Sequence, residues 1–320
     1  MKKYIIILAV LLLTFTACKR APQTTDEVVI TLDWTPNTNH AGLYVAQALG
    51  YFTEAGLTVK IEQPGQAITD QIVATGKSHF GVSYQENVIR ARSEGLPLVS
   101  IAAVIQHNTS GFAALKEAGI KTPKDFEGKR YGSWDSPSEI AILKHIMQSS
   151  GADFGKVNII SGIYDFFSTI GKDADFEWIY YGWDGVEAQR RGIDLVYLPL
   201  RELNPIFDYY TPVIISSEKY LQDNQDTARR FIAAVSKGYE YCIQEPQKAA
   251  EILMNQVPEL NKEQVLVSMV YLSNEFKSDA SVWGFQKSEV WHSFANWMSD
   301  EKLIPKTIDI KTAYTNEYLP

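Results

Sequence analysis

Residues 28–51, VVITLDWTPNTNHAGLYVAQALGY, decide how the rest of the chain is read: a short β-rich run ends in a cluster of recognition side chains, and an apolar helix opens directly behind it. Trp34, Asn37, Asn39 and His40 therefore stand at a strand-to-helix turn. In an open α/β sheet such a turn lies beyond the carboxyl end of a strand, where ligands bind and where the first N–H groups of the following helix still lack partners. A flat aromatic side chain, two amides and an imidazole at that place suit a planar, polar heterocycle. The same residues would also serve a packed tryptophan and amides that merely cap the turn.

Working outward, the segment up to about residue 106 alternates β-rich with helical runs: LTVKIEQ, QAITDQIVATG, HFGVSY, QENVIRARSEG and LVSIAAVIQ. That alternation implies an α/β unit, largely parallel, with helices on the faces of its sheet. A second set follows from about residue 124, with KRYGSW, a helix from Ser138 to Ser149, VNIIS, FEWIYY, GVEAQRRG and DLVYLPL. After Asp208 one further β-rich run, YYTPVIIS, precedes a stretch that is almost wholly helical. Those late helices have no sheet of their own, so they are expected to pack back onto the first lobe. The chain would then cross between lobes twice, near His107–Phe112 and near Asp208–Val213. The expected division is lobe 1 from residues 28–107 and 213–320, and lobe 2 from residues 108–212.

The amino terminus sets the compartment. Lys2 and Lys3 precede an apolar run from Tyr4 to Phe15, shorter than the ~20 residues a spanning helix needs, and Thr16-Ala17-Cys18 follows. This is the pattern of a lipoprotein signal peptide over residues 1–17, with Cys18 as the acylated residue and residues 18–27 as a polar stalk. The expected location is outside the cytoplasm, tethered to a membrane. Cys242 is the other of the two cysteines, so no internal disulfide remains once Cys18 is acylated, and its apolar helical setting marks a buried thiol. A net charge of -8 and the lack of any Lys/Arg run argue against a nucleic-acid partner.

With no Walker sequence, no G-x-S-x-G and scattered histidines, the chain presents no catalytic constellation, and neither a metal nor a cofactor is called for. Two lobes joined by two crossings enclose a cleft, and an exported protein of that layout is best explained as a solute receptor that closes on its ligand by hinge motion. Tyr84, Tyr181 and Trp183 end β-rich runs on either side of the expected cleft and supply aromatic plates. Gln85 and Glu86 follow at another strand-to-helix turn, where either could reach the cleft or cap the helix. Ser110 lies at the first crossing, as a polar contact or as an ordinary hinge turn, and Tyr210 lies on the returning segment. Ser136-Pro137-Ser138-Glu139 fits a capping box and is read as structural.

LDWTPNTNHAGLYVAQALGYF, GVSYQENVIRARSEGLPLVSIAAVIQHNTSGF, WDGVEAQRRGID and the terminal YTNEYL resemble a family that unites bacterial pyrimidine-binding lipoproteins of thiamine-precursor ABC importers with fungal hydroxymethylpyrimidine phosphate synthases. The likeness runs from about Val28 to Leu319. It implies a two-lobed periplasmic-binding fold of the type II kind, with two mixed sheets flanked by helices. On the receptor side it implies a pyrimidine ligand, an ABC permease with its ATPase, a lipid anchor and a monomer, and it makes Glu187 the acceptor for the pyrimidine amine. The synthase side implies a cysteine-rich motif on the returning strand, a lysine-linked pyridoxal phosphate and iron. Here that strand reads Asp208-Tyr209-Tyr210-Thr211-Pro212, without cysteine. The expectation is a receptor for formylaminopyrimidine or hydroxymethylpyrimidine, with another flat vitamin such as riboflavin, or synthase chemistry, as the alternatives.

Overall fold

The computed structural model describes residues 25–65 and 67–320, and Cys18 with its leader lies outside them. Among the described residues, ten strands form two five-stranded sheets. The first has the order β2-β1-β3-β10-β4, from β1 (Asp26–Thr31), β2 (Leu57–Glu62), β3 (Phe80–Ser83), β4 (Leu98–Ala103) and β10 (Val213–Ser217). The second has the order β7-β6-β8-β5-β9, from β5 (Ser110–Leu115), β6 (Arg130–Gly132), β7 (Asn158–Ile160), β8 (Phe176–Tyr180) and β9 (Leu195–Pro199). The chain thus leaves the first sheet after β4, builds all of the second, and re-enters the first as β10.

Both sheets are mixed. In the first, β1 pairs in parallel with β2 and β3, whereas β10 runs antiparallel between β3 and β4. In the second, β5 is antiparallel to both β8 and β9, and β6 is parallel to β7 and β8. The alternation along the chain implies more parallel pairing than this, because it describes each βαβ unit and says nothing of a strand inserted after a long excursion. β10 is buried along its whole length, which is why VIISS carries almost no alternation.

The helix Gln225–Gln244 carries the largest buried face among the late helices. Phe231, Val235, Tyr239 and Cys242, at helical spacing, are fully buried, and Phe231 stacks on Phe80 of β3 with ring centroids 4.0 Å apart. It crosses the helix Ala41–Ala48 at two glycines: a Cβ at Gly238 would stand 2.0 Å from the Gly42 carbonyl oxygen, and one at Gly42 would stand 2.3 Å from the Tyr239 ring. That close approach locks the helix behind the recognition turn. The helix Ser288–Asp300 lies between the sheets, with Phe294 stacked on Tyr209 at 4.1 Å and Trp297 against Phe207 at 5.0 Å. The helix Lys262–Glu275 also reaches the second sheet's elements, through ion pairs from Glu263 to Arg190 and from Glu275 to Arg201. In the second lobe Ser136 and Glu139 form the expected capping box at the start of Pro137–Ser149.

Candidate functional site

A cleft of about 340 Å³ opens between the two sheets, a size suited to a small heterocycle. Its first wall is the turn after β1. Asn37 caps the short helical turn Thr38–His40, its side-chain oxygen accepting from the Asn39 N–H at 2.9 Å. His40 Nδ1 accepts from the Asn37 N–H at 3.1 Å, which leaves Nε2 to donate to Asp33 Oδ1 at 2.6 Å. The other oxygen of Asp33 accepts from the Tyr84 hydroxyl at 2.7 Å. Burial pushes the Asp33 carboxyl up, but its contacts with His40 and Tyr84 outweigh it and hold the group below the usual aspartate value. The turn is thereby rigid, while Trp34 at its tip remains 54% exposed.

The facing wall comes from the second sheet. Glu177 and Trp178 on β8, with Tyr180 at its end, line the cleft together with Trp134, Trp183 and Asp184. Glu177 is 3% exposed, and Oε1 accepts from the Thr169 hydroxyl at 2.7 Å. Burial, foremost, pushes its carboxyl up to about 8, and burial likewise pushes Asp184 up to about 7. Glu86, on the first wall, is also raised by burial, and accepts from the Tyr209 hydroxyl at 3.3 Å. Four carboxyl groups and a ring of aromatic faces thus line the cleft, and among the described residues no lysine, arginine or histidine does. A second depression, about 430 Å³, lies beside Leu115, Lys116 and Asp194 and has no aromatic residue in its wall.

Of the residues singled out from the sequence, Trp34, Asn37, Asn39, Tyr84, Glu86 and Trp183 come together on this cleft. The others do not, and each for a visible reason. His40 is fully buried behind Asp33, so it supports the wall without facing the cleft. Gln85 is spent on the protein itself, accepting from the Tyr210 N–H at 2.9 Å and donating to the Val290 carbonyl at 3.2 Å. Tyr210 is buried, and its hydroxyl accepts from the Lys287 N–H at 2.8 Å. Ser110 is the ordinary turn, its hydroxyl and N–H both on Asn108 Oδ1. Tyr181 turns to Tyr197 and Tyr271, with centroids 4.7 and 5.3 Å away.

Glu187 lies furthest from the place expected of it. Its side chain is 1% exposed and outside the cleft lining; Oε1 accepts from Arg190 at 2.8 Å and from Arg191 at 2.6 Å, and Oε2 accepts from Arg190 at 2.7 Å. Those arginine hydrogen bonds hold the carboxyl below its ordinary value. Three accepted hydrogen bonds from two arginines, on a side chain outside the cleft lining, tie this carboxylate to its own helix. Asp33, Glu177 and Asp184 were not singled out. A signal existed for Glu177, a carboxylate inside the otherwise apolar and aromatic run FEWIYY.

The sequence profile of the family described as NMT1/THI5 like matches residues 37–249. Formylaminopyrimidine-binding protein of Halalkalibacterium halodurans is 29% identical over 334 residues, covering 99% of each chain. 4-Amino-5-hydroxymethyl-2-methylpyrimidine phosphate synthase of Legionella pneumophila is 25% identical over 302 residues, covering 92% of this chain and 93% of that one. In fold, the periplasmic aliphatic sulphonate binding protein SsuA from Escherichia coli superposes with a TM-score of 0.69 at 15% identity, over 90% of this chain and 91% of that one.

Proposed function

Since this chain belongs to the NMT1/THI5-like family and has the two-lobed periplasmic-binding fold, we propose that it is the substrate-binding protein of an ABC importer, capturing an aminopyrimidine thiamine precursor such as formylaminopyrimidine or hydroxymethylpyrimidine. The observation that carries this reading is the composition of the cleft wall: aromatic faces from both lobes, four carboxyl groups and, among the described residues, no cationic side chain. An aminopyrimidine offers two flat faces, an amine that donates and ring nitrogens that accept, so it is matched by aromatic plates and carboxyl groups. Closing of the lobes would bury the ring and present the loaded form to a permease and its ATPase. Acylation of Cys18 would keep the protein at the membrane, outside the cytoplasm, as a monomer.

The family's synthases fit this cleft poorly. A lysine-linked pyridoxal phosphate needs an amine for the linkage and cationic or N–H groups for the phosphate, and among the described residues no lysine or arginine lines the wall. The returning segment, Asp208 to Pro212, holds no cysteine. No step through that cofactor is assigned to this chain.

Calorimetric titration with hydroxymethylpyrimidine, formylaminopyrimidine, riboflavin and pyridoxal phosphate tests the reading, with mass spectrometry of each mixture after prolonged incubation. The expected result is binding of the two pyrimidines alone, recovered unchanged, with contraction of the protein in small-angle scattering. Preference for riboflavin would change the ligand, and any turnover would sink the receptor reading.

A further inference from the structure

Glu177 is the one carboxyl group of the cleft wall that is nearly sealed from solvent and still has an oxygen to spare. It projects from the middle of β8, is 3% exposed, and engages only Oε1, with Thr169; Oε2 makes no hydrogen bond among the described residues. The neighbouring strand is shaped around it. A Cβ at Gly132 would stand 2.8 Å from Glu177 Cγ and 3.1 Å from its Cδ, so glycine at that register position leaves the room the carboxyl occupies. Beside it in sequence, Trp178 also lines the cleft, 8% exposed, and its indole N–H is buried with no partner. The spare Oε2 on this buried, cleft-lining carboxyl marks the place where a ligand completes a hydrogen-bond set; Trp178, next along the strand, faces the other side of the sheet against Phe112 and Trp134 and belongs to no common contact with it.

We infer that Glu177 binds the edge of the aminopyrimidine as a neutral carboxylic acid, Oε2–H donating to a ring nitrogen while Oε1 accepts from the exocyclic amine, and that this paired contact sets the specificity of the cleft for an amidine-like edge. The inference rests on the receptor reading above and names the residue that reads the ring. The stereochemistry is that of a carboxylic acid paired with an amidine: donor and acceptor lie side by side on one planar group and face the complementary pair on the ring. Oε1 has two lone pairs and so serves Thr169 and the ligand amine together. The charged groups around Glu177 favour the acid. Asp184 on the following turn and Asp165 and Asp173 on the segment before β8 are all acidic, Tyr131 stands on β6, and Arg130 of the same strand is taken up by Asp175. The three aspartates oppose a negative charge on Glu177 and leave a neutral acid undisturbed.

The contact explains why the amine, and not the ring alone, would be required. A pyrimidine without the exocyclic amine leaves Oε1 half-satisfied, and a phosphorylated ligand meets an acidic wall with no counter-charge.

The test is calorimetric titration of wild type, E177Q and E177L with 4-amino-5-hydroxymethyl-2-methylpyrimidine and with the same ring lacking the 4-amino group. Thermal melts establish that each variant is folded. Glutamine keeps a donor beside an acceptor, so E177Q is expected to stay within about threefold of wild type, while E177L loses about ten- to a hundredfold. Removing the amine from the ligand should weaken wild type by a similar factor and E177L little further. The ratio of wild-type to E177Q affinity should fall as pH rises through about 8, since Asp184 titrates in both proteins and only wild type carries the Glu177 carboxyl. The inference is overturned if E177L binds as wild type does, or if E177Q falls as far as E177L, the result for a carboxylate paired with a charged ring. Should wild type bind no pyrimidine, the receptor reading fails and takes this one with it. G132A, which crowds the carboxyl without changing its chemistry, gives an independent reading: it should weaken the aminated ring more than the deaminated one, and an equal loss on both counts against the inference.

Discussion

The imidazole of His107 stands 2.7 Å from the carboxylate of Asp208, so the two segments that cross between the sheets are bonded to each other. On its other side His107 Nε2 lies 3.1 Å from Asp279, which is itself paired with Lys287. The second oxygen of Asp208 is engaged as well, accepting from the Asn108 N–H at 2.8 Å. With a carboxylate at each ring nitrogen, the doubly protonated imidazole is the form that donates to both.

This arrangement makes the crossing sensitive to pH. The hydrogen bond to Asp208, foremost, and the charges of Asp208 and Asp279 raise His107 above its ordinary value of 6.5 against the effect of burial. A raised folded-state value means the stabilisation is complete below 6.5 and is lost as pH climbs through the folded-state value. The thermal midpoint of wild type is expected to decline over that rise, and that of H107Q to stay flatter. Because the pair is part-exposed the effect is modest, ~1 kcal/mol after allowance for solvent screening. Calorimetric scans across the range check it, and parallel curves for the two proteins would remove His107 as the source.

Trp34 separates binding from folding. Its ring is more than half exposed and supports no core, so W34A should leave stability within ~0.5 kcal/mol of wild type. Ligand affinity should nonetheless fall by about tenfold or more, because a stacking plate is lost from the first wall. Denaturant unfolding and titration on the same preparation give both numbers. Unchanged affinity would place the ring outside the bound state.

Asp33 should show the opposite balance. D33A removes the acceptor for both His40 Nε2–H and the Tyr84 hydroxyl, leaving one buried and one half-buried donor unmatched. The expected loss is about 3 kcal/mol of unfolding free energy, measured in urea. The acid limb of wild-type stability carries the same group: a depressed carboxyl contributes fully above its ordinary value of 3.8 and is lost as pH falls through the folded-state value. D33A should flatten that limb, and a loss under about 1 kcal/mol would show that the turn is held by other means.

How much of this was legible in the sequence follows from the distances involved. The turn after β1 is local: cap, aromatic tip and following helix are contiguous from Trp34 to Ala48, and the structure assembles them as the pattern implies. The return of the chain in β10 was readable because VIISS is too apolar for anything but a buried strand, although its antiparallel setting depends on partners more than 100 residues away. The second wall was the difficult part. Which of FEWIYY, YGWD and GVEAQRR faces the cleft depends on the register between β6 and β8 and on a single π turn at Tyr181–Gly185, and neither has a sequence period. Gly132 against Glu177 is a register relationship, invisible until the strands are paired.

Glu187 and its arginines provide the last prediction, since they distinguish the sequence expectation from the geometry. Arg190 and Arg191 stand three and four residues on, the spacing at which helical side chains meet, and both close onto the one carboxylate. E187Q keeps the shape but weakens two charge-assisted hydrogen-bonded contacts, so a cost of about 1–2 kcal/mol in unfolding free energy is expected, with pyrimidine affinity changed by less than about twofold. A ligand amine bonded to Glu187 predicts the reverse, little loss of stability and about a tenfold or greater loss of affinity. Urea unfolding and titration of the single variant therefore decide between a carboxylate that fastens its own helix and one that reads the ligand, and the occupied state of both oxygens favours the first.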